Sequence, residues 1–305
     1  MKIYDMLIVG GGPGGYTAAL YAARAGLSVA VVEKLSAGGQ MALTDKIDNY
    51  PGFPDGVEGF QLAEDMERQA LKFGAESILA EVTEVELEGP IKKLHTTDGL
   101  LQARTVAIAT GADPKHLGIP GEESFSGRGV HYCASCDGFR YKGKVAMVVG
   151  GGNSAVEDAL ILSRVAEKVI LVHRRDTLRA EKIGFEALKS AGNVEFLWNS
   201  SPVRLNGEKR LESVVIRDVV SGEEREIPSD GFFVSIGRKP ATALLEGKLP
   251  LDQGGYIPAG ENTETEIPGV YAVGDVRTKP LRQIVTAISD GAMAAFMAQE
   301  YLAKQ

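Results

Sequence analysis

The strongest constraint on the fold of this chain is a pattern that occurs twice. Near the start, a strand candidate, Asp5-Met6-Leu7-Ile8-Val9, runs into Gly10-Gly11-Gly12-Pro13-Gly14-Gly15 and a helical stretch to Ala25. Ser28 to Glu33 (SVAVVE) then reads as a second strand. Much later, Lys144 to Val149 runs into Gly150-Gly151-Gly152-Asn153-Ser154-Ala155, a helical stretch to Arg164 and a strand from Val169 to Val172. A strand that turns on glycines into a helix and returns as a second strand is a βαβ nucleotide-binding unit. The chain is therefore expected to be α/β, with two Rossmann-like nucleotide-binding domains.

At 305 residues the chain is long enough for about two domains. A strand at Thr105 to Ala109 ends at Gly111-Ala112-Asp113-Pro114, which reads as a crossover out of the first domain. Gly237-Arg238-Lys239-Pro240 reads as the matching exit. No third nucleotide fold is legible after about Ala243. The expected arrangement is a discontinuous first domain, 1–112 with 244–305, into which a second domain, 113–243, is inserted. Glycine and proline at both junctions suit hinges.

Each glycine turn carries a different chemistry. In the first, Gly10, Gly12 and Gly15 fit G-x-G-x-x-G: a tight turn, a close backbone approach to a pyrophosphate, and tight packing of helix on strand. Pro13 and Gly14 complete the turn, and the helix start supplies N–H groups and partial positive charge to phosphates. Glu33, at the end of the second strand, is placed to accept hydrogen bonds from ribose hydroxyls and to repel a 2′-phosphate. The second turn is the G-x-G-x-x-A variant, Gly150, Gly152 and Ala155, with Asn153 and Ser154 between them. In place of the acid it has His173, Arg174 and Arg175, with Arg179 a turn further on. Guanidinium groups pair bidentately with phosphate, so this cluster favours NADPH over NADH. The simplest assignment is FAD in the first unit and NADPH in the second.

Cys133 and Cys136 are the two cysteines of the chain, three residues apart. A disulfide closing so short a loop constrains little of the unfolded chain, so a catalytic or metal-binding pair is the better reading. The count excludes a four-cysteine zinc site, and the 4 histidines offer no paired spacing to complete one, so no metal is expected. Asp137 follows directly, placed to give or take a proton as a thiolate leaves or forms. His131, two residues before the pair, could tune a thiolate but reads better as a packed histidine.

Other function classes are bounded by what the chain lacks. A net charge of −8 argues against broad nucleic-acid binding. No stretch reaches the roughly 20 apolar residues that span a bilayer. The N-terminus runs straight into a strand with no signal-peptide core, so a cytoplasmic location is expected.

The Cys-Ala-Ser-Cys-Asp segment lies just before the second nucleotide turn, and in this the chain resembles the low-molecular-weight thioredoxin reductases over nearly its full length. The match rests on GGGPGG, Gly38-Gly39-Gln40, Asn49-Tyr50-Pro51-Gly52, Ala109-Thr110-Gly111, CASCDGF, GGGNSA and HRRDTLRAEK. It closes with Tyr271-Ala272-Val273-Gly274-Asp275 and Arg282-Gln283-Ile284-Val285-Thr286-Ala287. The resemblance implies FAD contacts at Gly39, Gln40, Asn49, Val82, Gly111, Gly274, Asp275, Arg282, Gln283 and Ile284, beside a helix starting near Ala287. It also implies a homodimer and a thioredoxin or thioredoxin-like dithiol protein as partner. Cys136 would face the flavin and Cys133 would attack the partner, with Asp137 exchanging the proton. Many relatives carry a second aromatic where this chain has Arg140, which leaves partner choice open. The cysteines and the nicotinamide site share one domain and serve one flavin, so that domain is expected to take at least two orientations. Rival readings are a flavoprotein feeding a peroxiredoxin, a ferredoxin-type or oxidase relative, and a non-catalytic redox sensor.

Overall fold

The computed structural model describes residues 2–305. Its α-helices are α1 (Pro13–Arg24), α2 (Gly59–Lys72), α3 (Ala134–Asp137), α4 (Asn153–Ser163), α5 (Lys182–Lys189) and α6 (Ile284–Leu302). The chain divides into two compact units, Met1–Asp113 with Lys239–Gln305, and Pro114–Arg238.

The first unit is built on a mixed sheet in the order Glu76–Leu79, Val29–Glu33, Ile3–Val9, Gly99–Ile108, Lys92–Thr96 and Val82–Glu86. Val270–Ala272 pairs in parallel with the inner end of Gly99–Ile108, and the last two strands of the order join antiparallel. Met6, Leu7 and Ile8 are fully buried, as expected for a strand covered on both faces. One face packs the leucine- and valine-rich cluster of Leu7, Val85, Leu94 and Leu245. The other packs α1 and α6 through Ala18, Ala19, Ala22, Ala294, Ala295 and Ala298. These small residues let the two helices approach closely. A Cβ at Gly291 would lie 2.2 Å from the Gly14 carbonyl oxygen, and one at Gly14 would lie 3.0 Å from that of Ala287.

The second unit has an all-parallel sheet in the order Val194–Leu197, Lys168–Val172, Val145–Val149, Gly231–Val234 and Val130–His131. An antiparallel three-stranded sheet, Ser200–Asn206, Ser213–Asp218 and Glu224–Pro228, adds to it. The α4 and α5 side packs Ala155, Ala159, Leu162, Leu171 and Leu188, and the opposite side packs Met147, Phe232, Val214 and Ile216.

One expected boundary is corrected. The C-terminal helix starts at Ile284, not near Ala287, because Gln283 caps it. The Gln283 amide donates to Thr286 Oγ1 at 3.1 Å, and its side chain pairs with the backbone of Thr286 in return. Such a reciprocal box satisfies N–H groups that a helix start otherwise leaves open. Among the described residues no helix is long and apolar enough to cross a membrane.

Candidate redox and nucleotide sites

The first glycine turn is shaped by backbone crowding on one side and open space on the other. Gly10 sits at φ +107°, where a Cβ would fall 2.5 Å from the Ala109 carbonyl oxygen. A Cβ at Gly15 would fall 2.0 Å from the Gly10 carbonyl oxygen, so even alanine is excluded there. At Gly12 a Cβ would meet nothing within 4 Å, and at Gly39 only the Gly12 Cα at 3.8 Å. Open space at this N-terminus, where no side chain caps α1, fits a dinucleotide pyrophosphate. Gly14 bears mainly on helix packing, since its own Cβ would strike Val273 and Ala287 of the C-terminal segment.

Glu33 is drawn to the turn, accepting from the Gly11 amide at 2.7 Å and the Leu35 amide at 3.1 Å. Gln40 donates to the Ala112 carbonyl at 3.0 Å and to Asp113 Oδ1 at 2.8 Å, beside Gly111 at φ +77°. The Asn49 amide donates to Gln283 Oε1 at 3.0 Å, and Ile284 packs against the Met41, Ile47 and Leu62 cluster. Arg282 lies 4.1 Å over the Tyr256 ring, with Nε 3.4 Å from the Asp275 carbonyl oxygen. Val82, half-buried at the start of its strand, packs on the large core cluster. The C-terminal segment is thus brought beside α1 because α6 docks on it through Gly14 and Gly291.

A buried ion cluster that the sequence reading did not single out holds this C-terminal segment. Asp290 of α6 accepts from Arg277 Nη2 at 2.7 Å and Nε at 2.9 Å, from Lys279 Nζ at 2.6 Å and from the Gly274 amide at 2.9 Å. Burial alone would raise the carboxyl, but the bonds from Arg277, Lys279 and Gly274 win and hold it below the usual carboxylate range. The available signal was a lone acid in the otherwise uncharged run from Ile284 to Gln299.

In the second unit a cleft of about 420 Å³ opens on the second glycine turn. Gly150, Gly151, Gly152, Ser154, His173, Arg174 and Arg179 line it. Arg175 is exposed, and its carbonyl accepts from the Asn199 amide at 3.2 Å. A Cβ at Gly150 would lie 2.3 Å from the Ser235 carbonyl oxygen and 2.7 Å from the Ala155 Cβ, so a small residue is required beneath the turn. Asn153 faces elsewhere: its Oδ1 accepts from the Glu181 amide at 2.8 Å, at the cap of α5. The cleft also takes Leu117, Ser200, Ser201, Pro202, Ser235, Ile236 and Gly237 from distant segments that carry no sequence motif. His173 is buried, and its Nε2 has no hydrogen-bond partner among the described residues. Burial first, then the charges of Arg175, Arg179 and Arg174, push this imidazole below the usual histidine range against a bond to the Thr177 backbone, so it stays neutral. A neutral ring with an unused nitrogen, exposed arginines and an uncapped α4 start fit a phosphorylated dinucleotide.

Cys133 and Cys136 are bonded, with Cα atoms 5.3 Å apart. Cys133 stands at the N-cap position of α3, and its Sγ lies 3.2 Å from the Ser135 hydroxyl. The loop is tied down by a half-buried carboxylate. Asp158 of α4 accepts from the Ala134 amide at 3.0 Å and from the Ser235 hydroxyl at 2.5 Å, linking the cysteines to the lining of the cleft. Burial pushes this carboxyl up, against those two bonds. His131 is buried as a packed residue would be, yet its Nδ1 lies 3.2 Å from Asp137 Oδ2.

Comparison with known proteins agrees with this geometry. The family model for pyridine nucleotide-disulphide oxidoreductases matches residues 4–291. The thioredoxin reductase of Mycolicibacterium smegmatis is 43% identical over 304 residues, 99% of this chain and 98% of that one. The bifunctional thioredoxin reductase/thioredoxin of Mycobacterium leprae is 42% identical over 304 residues, 99% of this chain and 66% of that one. The crystal structure of thioredoxin reductase from Streptococcus pyogenes superposes with a TM-score of 0.94 at 43% identity, covering 99% of both chains. This chain therefore belongs to the pyridine nucleotide-disulphide oxidoreductases, in their thioredoxin reductase group, and is an NADPH-dependent flavin disulfide oxidoreductase.

Proposed function

We propose that this enzyme reduces the disulfide of thioredoxin or of a thioredoxin-like dithiol protein, taking electrons in at Cys136 and passing them out from Cys133. The observation that carries the reading is the bonded Cys133–Cys136 pair, held by Asp158 in the same unit as the arginine-lined cleft. The fusion of such a reductase to thioredoxin in the M. leprae protein supports the choice of partner. FAD, when bound, passes the two electrons of an NADPH hydride to a disulfide.

The chain's own residues supply the binding and the thiol chemistry. Gly10, Gly12, Gly15, Glu33, Gly39 and the segments around Gln40, Asn49, Val82, Gly111, Gly274, Asp275 and Arg282 to Ile284 would hold FAD in a domain of residues 1–112 with 244–305. Gly150, Gly152, Ser154, Ala155 and His173 with Arg174, Arg175 and Arg179 would hold NADPH in the inserted domain, 113–243. Ser135 is placed to donate a hydrogen bond to a Cys133 thiolate. That thiolate attacks one sulfur of the partner's disulfide; the S–S bond breaks and the departing sulfur takes a proton from Asp137. Cys136 then attacks the Cys133 sulfur of the mixed disulfide, its thiol proton passing to the partner's leaving sulfur, which re-forms the internal disulfide and frees the partner as a dithiol.

The decisive test is direct. NADPH should bleach the yellow protein, and oxidised thioredoxin should restore the colour with repeated turnover. Failure of every thioredoxin-like protein tried, with bleaching intact, would refute the proposed partner. Homodimer formation and a cytoplasmic location are part of the same proposal, checked by sedimentation of the purified protein and by cell fractionation.

Cofactor choice gives a second test. Replacing Arg174 and Arg175 with alanine should raise the KM for NADPH about 10-fold or more and leave that for NADH nearly unchanged, since bidentate phosphate pairing is lost. Equal use of NADPH and NADH by the unaltered enzyme would contradict the assignment.

A further inference from the structure

Behind the cysteine loop lies a line of three side chains, the half-buried Asp137 and the buried His131 and Tyr141. His131 is 5% exposed and ends the strand Val130–His131. Its Nδ1 lies 3.2 Å from Asp137 Oδ2, and its Nε2 lies 2.6 Å from the Tyr141 hydroxyl. The ring is stacked on Phe233 at 5.3 Å and meets Tyr141 edge-on at 5.4 Å, so it cannot swing away. We propose that His131 is the positioning residue for Asp137: it fixes the carboxyl beside the cysteine pair and stores the proton that Asp137 hands to a departing sulfur. This rests on the reading of Asp137 as the proton donor.

An aspartate near water is ionised at neutral pH, and an ionised carboxylate has no proton to give. A neighbouring imidazole supplies a second seat for the proton, because a proton carried by a His–Asp pair can sit on either partner and pass between them across the hydrogen bond. The two oxygens of Asp137 have distinct neighbours, since Oδ2 faces His131 while Arg140 Nη1 stands 3.6 Å from Oδ1. The hydroxyl of Tyr141 accepts from a protonated Nε2 or donates to a bare one, so that nitrogen is paired in both charge states. Proton exchange is therefore directed to Nδ1. Burial pushes the Tyr141 phenol up to about 12, so it keeps its proton throughout the neutral range.

The Cys133 thiolate forms a bond to one sulfur of the partner's disulfide, and the partner's S–S bond breaks with its electron pair on the second sulfur. Asp137 protonates that sulfur, His131 Nδ1–H restores the proton to the carboxyl, and water later recharges the imidazole. The charged groups around this line are few. Arg140 lies on the Asp137 side, Arg210 and Asp230 act on Tyr141, and the Lys144 amine lies 5.8 Å from the Tyr141 ring. The strand Gly231–Val234 presents the uncharged Phe233.

The experiment uses the FAD-loaded enzyme and two readouts. One is thioredoxin turnover; the other is the alkylation rate of Cys133 and Cys136 by iodoacetamide after reduction with dithiothreitol, both followed over about pH 5 to 9. His131→Gln keeps a polar side chain that cannot carry the proton. It should retain bound FAD, lose roughly 10-fold in turnover, and displace both pH profiles by about one unit. Tyr141→Phe, which removes a single oxygen, should displace them in the same direction by less. Asp137→Asn should lose turnover by about 10² or more. Unshifted profiles in His131→Gln alongside a crippled Asp137→Asn would overturn the role of His131 and leave Asp137 as donor. Normal turnover in Asp137→Asn would overturn the donor reading itself, and this inference with it. Should His131→Gln fail to fold, Tyr141→Phe decides alone, because a loss that is uniform across pH would mean packing and nothing more.

Discussion

Replacing Cys136 with serine is expected to stop thioredoxin reduction, lowering turnover by at least about 10³-fold, while FAD binding and bleaching by NADPH survive. The reason is electron bookkeeping in the bond itself. A single thiol at Cys133 can enter a mixed disulfide with the partner, but nothing then carries it forward, since the partner's own freed thiol can only reverse the step and the second sulfur of the pair is gone. The variant should therefore accumulate as a covalent adduct with thioredoxin, visible on a non-reducing gel. Cys133→Ser should give no such adduct if Cys133 is the attacking sulfur, and the pair of variants thus assigns the two roles. Sustained thioredoxin turnover by Cys136→Ser would mean that electrons leave by a route outside this pair.

The second large effect is on stability. Asp290→Ala is expected to destabilise the first unit by about 3–5 kcal/mol, the cost of leaving buried cations without their counter-charge. Arg277 and Lys279 have side chains only 9% and 5% exposed, so neither can be neutralised cheaply by water. The loss should also weaken FAD binding, because Asp290 holds the Gly274 amide and with it the Asp275 turn. The carboxyl is held below its ordinary range in the folded protein, so its contribution is complete above the unfolded carboxylate pKa. That contribution disappears as acid carries the pH down through the lower, folded value. The gap in urea stability between the unaltered protein and Asp290→Asn should accordingly be full at neutral pH and close on acidification. Equal stability of the two at neutral pH would show that the cluster contributes nothing net.

Much of the fold was legible because the constraint is local. A strand of Met-Leu-Ile-Val followed by glycines at fixed spacing has few other ways to fold, and Gly10 at φ +107° shows why the first glycine cannot be replaced. The helix ends were less legible. Gln283 caps α6 so that it starts three residues before the expected position, through a bond to Thr286 that reads in sequence as two ordinary polar residues. The antiparallel strands Lys92–Thr96 and Ser213–Asp218 were also unmarked, since strands this short carry neither a glycine signature nor a long apolar run.

The sequence by itself determined the chemistry: which residues can bind phosphate, which can exchange a disulfide, and that two nucleotide units share one chain. Those properties reside in residue type and short spacing, which survive without coordinates. Only the tertiary structure decided which distant groups act together. It set Asp158 against the cysteine loop, Asp290 against Arg277 and Lys279, and His131 between Asp137 and Tyr141. Each of these contacts joins separate elements through a charge or proton at least partly withdrawn from water, where the lower dielectric favours a partner and the chain order says nothing about which partner it is.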